Sequence, residues 1–283
     1  MEWLKFKHYS KCNFLRACFV RKTSRAGFFY GEAWPRLFLG REDCCYNQAM
    51  SEAPFISAIV PTLNEESCIE ECLERLELAG VEELIVVDGG SADRTRELAR
   101  KRADKVLVEP GGVFSQMNRG AWEAEGEVFL FQYADGLLSE AACVEIREAL
   151  ETPGIVGGAF RLRLDRPGLF YRAVSFCADW RNRLGFGPFG DQSIFVRAEI
   201  FRGEGGFPPA GTLPDHELVR ILGRRGCFKL LREPVLVSAR RWERCGKWRT
   251  LLRHWRLSAL YLAGLRRSRG AIIRGTEGLR KVR

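Results

Sequence analysis

Three short polar runs, each directly behind an apolar one, hold the residues best suited to chemistry. They are Pro61-Thr62-Leu63-Asn64-Glu65-Glu66, Asp88-Gly89-Gly90-Ser91-Ala92-Asp93 and Tyr133-Ala134-Asp135-Gly136. Taken singly, each has a plain structural explanation: a helix cap, a glycine turn with a Ser/Asp cap, and a loop aspartate. Taken together, they gather carboxylates and hydroxyls at strand exits, where open α/β sheets bind their ligands. No Gly-x-Gly-x-x-Gly follows the first strand, and no Gly-x-x-x-x-Gly-Lys-Ser/Thr is present, which disfavours a dinucleotide fold and excludes a P-loop. A nucleotide site without a glycine-rich cradle must neutralise a diphosphate by other means. A divalent cation held by a carboxylate is the obvious device.

Alternating strands and helices must position those runs. The apolar pattern predicts strands over 55–60, 84–87, 105–108 and 127–131, and helices over 65–79, 93–102, 115–124 and 139–150. Apolar strands alternating with amphipathic helices imply a mostly parallel sheet covered on both faces. Beyond 156 the pattern loosens. It still predicts strands over 156–164, 193–196, 228–231 and 235–238, and helices over 169–183 and 215–225.

Composition narrows the class. With 283 residues, 46% hydrophobic and 29% charged, the chain is neither a disordered polymer nor a disulfide miniprotein. Its charge of +9 is unevenly spread: 9 Lys/Arg against 4 Asp/Glu over 1–49, 22 against 30 over 50–238, and 14 against 2 over 239–283. An acidic centre between basic ends is a poor grip for a phosphate backbone, so no nucleic-acid partner is expected. The 10 cysteines form no Cys-x-x-Cys pair and only 3 histidines accompany them, which argues against a zinc module. Without a secretory signal, reduced thiols in a cytoplasm are expected. Residues 1–49 are basic and aromatic without clear periodicity, and Met50 is expected to be the natural start, 1–49 being an appended or mistranslated leader.

Near the other end, Trp248, Leu251, Leu252, Trp255, Ala259 and Leu262 recur every three or four residues within 246–265, beside Lys247, Arg249, Arg253 and Arg256. Two readings stand. The stripe packs on the preceding domain with its arginines in water, or it lies on an anionic membrane surface. Charges interrupt it too often for it to span.

The runs Ile59-Val60-Pro61-Thr62-Leu63-Asn64-Glu65-Glu66 and Val86-Val87-Asp88-Gly89-Gly90-Ser91-Ala92-Asp93-Arg94-Thr95, with the Asp135 loop, resemble family 2 glycosyltransferases of the GT-A fold. The likeness continues through Phe189-Gly190-Asp191-Gln192, Gly205-Gly206-Phe207-Pro208-Pro209, Pro214-Asp215-His216-Glu217-Leu218 and Ser238-Ala239-Arg240-Arg241-Trp242-Glu243. The ordered series is similar to the bacterial subgroup associated with radical-SAM/selenodomain and arsenosugar gene clusters. The resemblance implies a Rossmann-like α/β catalytic domain over 50–240, followed by a basic amphipathic helix and tail over 241–283. It implies an inverting, metal-dependent transferase, cytoplasmic or peripheral on the inner face of the membrane. The donor would be a nucleotide-sugar, expected to be a UDP-sugar, and the acceptor a hydroxyl on a small molecule or a lipid-linked one. The alternative is a non-catalytic sugar-nucleotide-binding or membrane-scaffolding protein. A nucleotidyltransferase would want a glycine-rich basic loop after the first strand, which 61–66 lacks.

Residue roles follow from the same likeness. Asp135, behind Ala134, matches the last acid of the family's metal motif, which holds Mg2+ or Mn2+ against the diphosphate. Thr62, Glu65 and Asp88 match positions that line the nucleoside pocket, Pro61, Asn64, Gly89, Gly90 and Ser91 join them in the donor site, and Gln116 and Asn118 fall on its ribose-phosphate side. Asp215 matches the general base. Gly190, Asp191 and Gln192, with Arg241 and Trp242, match segments that close over donor phosphates or acceptor. Four positions depart from the pattern: Gly89 stands where many relatives have a second acid, Tyr133 makes the metal motif single-acid, Gly136 stands where a hydroxyl is frequent, and Pro214 replaces a glutamate.

Overall fold

The computed structural model describes residues 53–183, 187–208 and 214–262. The expected leader over 1–49 and the tail beyond 262 lie outside them. The first half runs β1 (Ile56–Thr62), α1 (Ile69–Leu78), β2 (Glu83–Asp88), α2 (Thr95–Ala99), β3 (Lys105–Val108), α3 (Val113–Glu123), β4 (Val128–Phe131), β5 (Gly136–Leu137) and α4 (Ala142–Leu150). The second half runs β6 (Ile155–Leu164), α5 (Leu169–Arg183), a 3-10 turn at Gly190–Gln192, β7 (Ile194–Arg197), α6 (Ala198–Gly203), α7 (Pro214–Leu222), β8 (Cys227–Val237), α8 (Arg240–Cys245) and α9 (Lys247–Leu262).

Successive residues of a strand point to opposite faces, and here both faces are apolar. Ile56, Ala58 and Val60 of β1 join one core cluster while Ile59 joins the other; Val128 and Leu130 of β4 part from Phe129 and Phe131 in the same way. Helices α1, α2, α4 and α5 close the first cluster, and α3, α6 and α7 the second. The mainly parallel, doubly covered α/β sheet expected from the sequence is what the chain forms.

The sheet order is β3-β2-β1-β4-β7-β6-β8-β5. Strands β3, β2, β1 and β4 are parallel, and the chain leaves β1 first towards β2 and β3, then returns to β4 on its other side. That reversal opens a crevice beyond the carboxyl ends of β1 and β4. Only Gln132-Tyr133-Ala134-Asp135 link β4 to β5, although β5 lies at the far edge. The sheet therefore curls until that edge returns to the exit of β4, where the Ser238 N–H donates to the Asp135 carbonyl at 2.9 Å.

The second half differs from the pattern reading in two ways. Strand β7 runs antiparallel to both β4 and β6. The two late strands expected over 228–231 and 235–238 are one strand, β8, which passes Arg232-Glu233-Pro234 through a bulge opposite 159–161 of β6. A bulge leaves N–H groups without ladder partners, and the Glu145 carboxylate accepts from Arg232 and Glu233 at 3.1 and 3.0 Å. The proline thus interrupts the pattern without ending the strand.

Candidate active site

The β1 and β2 exits are laced into one unit. Asp88 is fully buried. Its Oδ1 accepts from the N–H groups of Gly90 (3.0 Å) and Ser91 (2.9 Å), and its Oδ2 from the hydroxyls of Ser91 and Thr62. The Asn64 N–H donates to Ser91 Oγ and the Ala92 N–H to Asn64 Oδ1, both at 2.9 Å, while Asn64 takes a positive φ of 55°. The Glu65 N–H donates to Thr95 Oγ1 at 2.8 Å. Asp88 therefore spends its acceptor capacity on shaping the loop, with Arg96 Nε 3.5 Å from its Oδ1.

Gly89 has a packing reason. Its N–H donates to the Thr62 carbonyl at 2.8 Å, and the Gln116 side chain donates to the same carbonyl at 3.1 Å. A Cβ at position 89 would run into the Gln116 amide and stand 3.3 Å from that carbonyl. Any side chain at position 89, the second acid expected from the resemblance included, would have to push aside the Gln116 amide of α3. Asn118, two residues on, serves another loop: its amide exchanges two 2.8 Å bonds with the Phe207 backbone, clamping the Gly205-Gly206 turn. Pro61 sits inside β1, past the last residue paired with β4, so its missing N–H breaks no ladder on that side.

At the β4 exit the curled edge brings in α8. Arg241 Nη2 lies 3.9 Å from Asp135 Oδ2, and Arg240 Nη2 lies 3.5 Å from Glu65 Oε2 while its Nη1 donates to Ser67 Oγ at 2.6 Å. Burial pushes the Glu65 carboxyl up, and the nearby Asp135 charge adds to it against Arg240 and Arg241. Cys68 shares the corner; burial and the Glu65 charge push its thiol up to about 12, so it is no thiolate. Ala134 is buried behind Asp135, and Trp242 is buried at the start of α8, with its ring 5.8 Å from Phe170 in the core rather than over the crevice.

Among the described residues no three His, Cys, Asp or Glu side chains come together as a metal set. Asp135, a half-buried carboxylate beside a second carboxylate, fits a hard cation that takes its remaining ligands from phosphate oxygens and water. It does not fit a cation caged by protein alone.

Across the Tyr133 segment stands Asp215. Pro214 opens α7, the place where a missing N–H costs nothing, and Asp215 in the first turn faces the positive end of the helix. The Gly190 N–H donates to its Oδ2 at 2.8 Å and the His216 N–H to its Oδ1 at 3.0 Å. Burial raises the Asp215 carboxyl above the ordinary range, against those N–H groups and the charge of Arg181. Gly190 also lies against Tyr133: a Cβ there would stand 3.1 Å from the tyrosine ring. The tyrosine in the single-acid motif is thus the wall on which the Asp215 loop rests, two residues from Asp135. Gln192 is buried and spent on structure, donating to the Phe160 carbonyl at 2.9 Å.

Two residues of this corner had no signal in the sequence. Arg181 of α5 lies 3.7 Å over the Phe189 ring and donates to Gln192 Oε1 at 2.7 Å; burial pushes it down to about 10, with the Asp191 and Asp215 charges opposing. Buried Gln132 accepts from the Ser193 hydroxyl at 2.5 Å and donates to the Tyr133 carbonyl at 3.0 Å, fixing the β4 exit.

Comparison with known proteins places this arrangement. The family model described as "Glycosyl transferase family 2" matches residues 57–202, just over half of the chain. A "PGL/p-HBAD biosynthesis glycosyltransferase" of Mycobacterium tuberculosis is 38% identical over 98 residues, 31% of this chain and 38% of the relative. A dolichol-phosphate mannosyltransferase of Pyrococcus furiosus is 38% identical over 89 residues, 28% of this chain and 25% of the relative. The chain thus spans well under two thirds of these relatives. Among solved structures, a mannosyltransferase of Pyrobaculum calidifontis, in complex with GDP-Man and Mn2+, superposes with a TM-score of 0.51 at 19% identity, over 64% of this chain and 57% of that one. A glucosyl-3-phosphoglycerate synthase of Mycobacterium tuberculosis, in complex with Mn2+, UDP and glucosyl-3-phosphoglycerate, gives 0.50 at 19% identity over 75% and 78%. These two likenesses establish a shared GT-A-type fold.

Proposed function

The chain belongs to glycosyl transferase family 2, and from that premise we propose that it moves a sugar from a nucleotide-diphosphate donor, a UDP-sugar, to a hydroxyl acceptor with inversion. One observation supports this above the rest: a carboxylate–guanidinium group and a buried, proton-hungry aspartate flank the same Tyr133-Ala134-Asp135 segment at the sheet's switch point. In the reaction, the acceptor oxygen forms a bond to the anomeric carbon as the bond from that carbon to the diphosphate oxygen breaks. The electron pair leaves with the diphosphate. Asp215 takes the acceptor proton, and the burial that raises its carboxyl makes it a stronger base than an exposed aspartate. Arg240 and Arg241, beside Glu65 and Asp135, would offset the charge that grows on the leaving group. Asp135 would hold Mg2+ or Mn2+, which neutralises the diphosphate when bound. The mannosyltransferase and synthase above, solved with nucleotides and Mn2+, support the donor class. The narrower likeness to the radical-SAM/selenodomain-associated subgroup rests on the whole ordered series of runs from Ile59 to Glu243.

Thermal unfolding against a panel of nucleoside diphosphates, with and without Mn2+, tests the reading. A nucleotide at about 100 times its Kd stabilises the fold by roughly 2.7 kcal/mol. The expected result is a metal-dependent shift for one nucleotide that Asp135→Ala abolishes. No shift with any nucleotide would overturn the donor site.

A further inference from the structure

Helix α5 buries Tyr171, Val174 and Ala178 and turns an apolar stripe to water: Leu169 is 83% exposed, Phe176 66% and Trp180 54%, with the Phe176 and Trp180 rings stacked at 6.3 Å. Ala173 and Cys177 widen the stripe. Helix α9 repeats the design. Its Thr250 is buried, while its Trp248, Leu252 and Trp255 are 70%, 69% and 59% exposed. The two stripes begin at one joint. Phe170, next to Leu169, packs on Trp248 with ring centroids 5.3 Å apart, and Lys247 Nζ sits 4.7 Å over the Tyr171 ring.

Six large apolar side chains on two adjoining helices mark an interaction surface rather than scattered exposure. Its charge says what covers it. Residues 240–256 hold seven Lys or Arg against one acid, Glu243. Arg172 on α5 and Arg244, Lys247, Arg249 and Arg256 around α9 are exposed beside the stripes. Tryptophan and phenylalanine rimmed by arginine match the boundary of an anionic bilayer, the rings at headgroup depth and the guanidinium groups on phosphates. A seat on the surface is all the helices allow, since none among the described residues is long and apolar enough to cross a membrane.

We infer that α5 and α9 together form a single surface that seats the protein on anionic membranes, with Leu169, Phe176 and Trp180 of α5 as necessary as the α9 stripe. This stands independently of the transfer reading. The test is co-sedimentation of the full chain with phosphatidylcholine vesicles, with and without phosphatidylglycerol, alongside tryptophan emission. The chain should sediment with the anionic vesicles, its emission shifting to the blue. The double substitution Phe176→Ser and Trp180→Ser should weaken binding at least about tenfold, with the melting midpoint and any donor-induced shift unchanged. Trp248→Ser with Leu252→Ser should do the same. Binding by the α5 variant equal to the parent would overturn the joint surface. So would a chain that ignores vesicles and forms a dimer which the α5 variant splits, because a second copy would then own the face. Vesicle binding without any nucleotide-induced shift would leave this surface standing and remove the donor site.

Discussion

Asp215 owes its proton affinity to a buried helix start that supplies it with two N–H groups and one guanidinium yet not enough to cancel burial. A base must be ionised to work, so transfer should rise with pH through a midpoint above the ordinary aspartate value of about 3.9. Initial rates across pH check this. In Asp215→Asn the rise should vanish and the rate fall by about 10²–10⁴, while nucleotide-induced stabilisation persists. Gly89 gives a second expectation at this scale. Gly89→Asp, which restores the acid of many relatives, must displace the Gln116 amide from the Thr62 carbonyl. Overpacking of this kind costs about 1–3 kcal/mol, so urea unfolding should show a loss and the nucleotide-induced shift should shrink. Glu65, Asp88 and Asp135 were legible because they stand at strand exits, where an apolar run makes the position conspicuous; Asp215, at a helix start, was legible only through the family resemblance. Arg181 was not, because it is a helix residue far along the chain that only the fold brings near Asp215; nor was Gln132, a polar end to a strand whose partner Ser193 stands 61 residues away.

The elements of the parallel half were legible for a related reason: each strand is a continuous apolar run, and each helix shows its period. Their ends were not, since turns such as 65–68 and 139–141 look like helix starts. Nor was β8, whose bulge depends on Glu145 of a distant helix. One tie between elements is testable. Glu83, at the start of β2, accepts from Lys105 Nζ of β3 at 2.8 Å, from the Ser57 hydroxyl of β1 and from the Glu125 N–H at 2.9 Å before β4. Burial alone would raise its carboxyl, but these partners hold it below the ordinary range. A carboxyl lowered on folding contributes stability above its unfolded value of about 4.3 and loses it as pH falls through the folded value. Urea midpoints against pH should therefore fall in acid. Glu83→Gln should flatten that fall and lower the plateau by about 1–3 kcal/mol, because Lys105 loses the more buried of its two charged partners, keeping Glu125, and one N–H or hydroxyl faces a donor.

At the scale of the molecule, charge is sorted: an acidic sheet domain over 50–238 adjoins a cationic run over 239–283. The run meets the sheet through Arg240 and Arg241 and the membrane through the α5–α9 surface. Salt separates the two parts of that surface. The Debye length shrinks from about 10 Å at 0.1 M to 3 Å at 1 M, so sedimentation with anionic vesicles should weaken steeply with salt and leave a residue that only the stripe substitutions remove. The position of α5 has a geometric consequence. The helix lies along the lipid with Trp180 downward, and the next residue, Arg181, reaches the loop that holds Asp215. A helix is about 10–12 Å across with its side chains. The reacting hydroxyl would then stand roughly one such thickness above the headgroup plane, a fixed altitude that rewards acceptors with a head of matching reach and leaves shorter ones below the base.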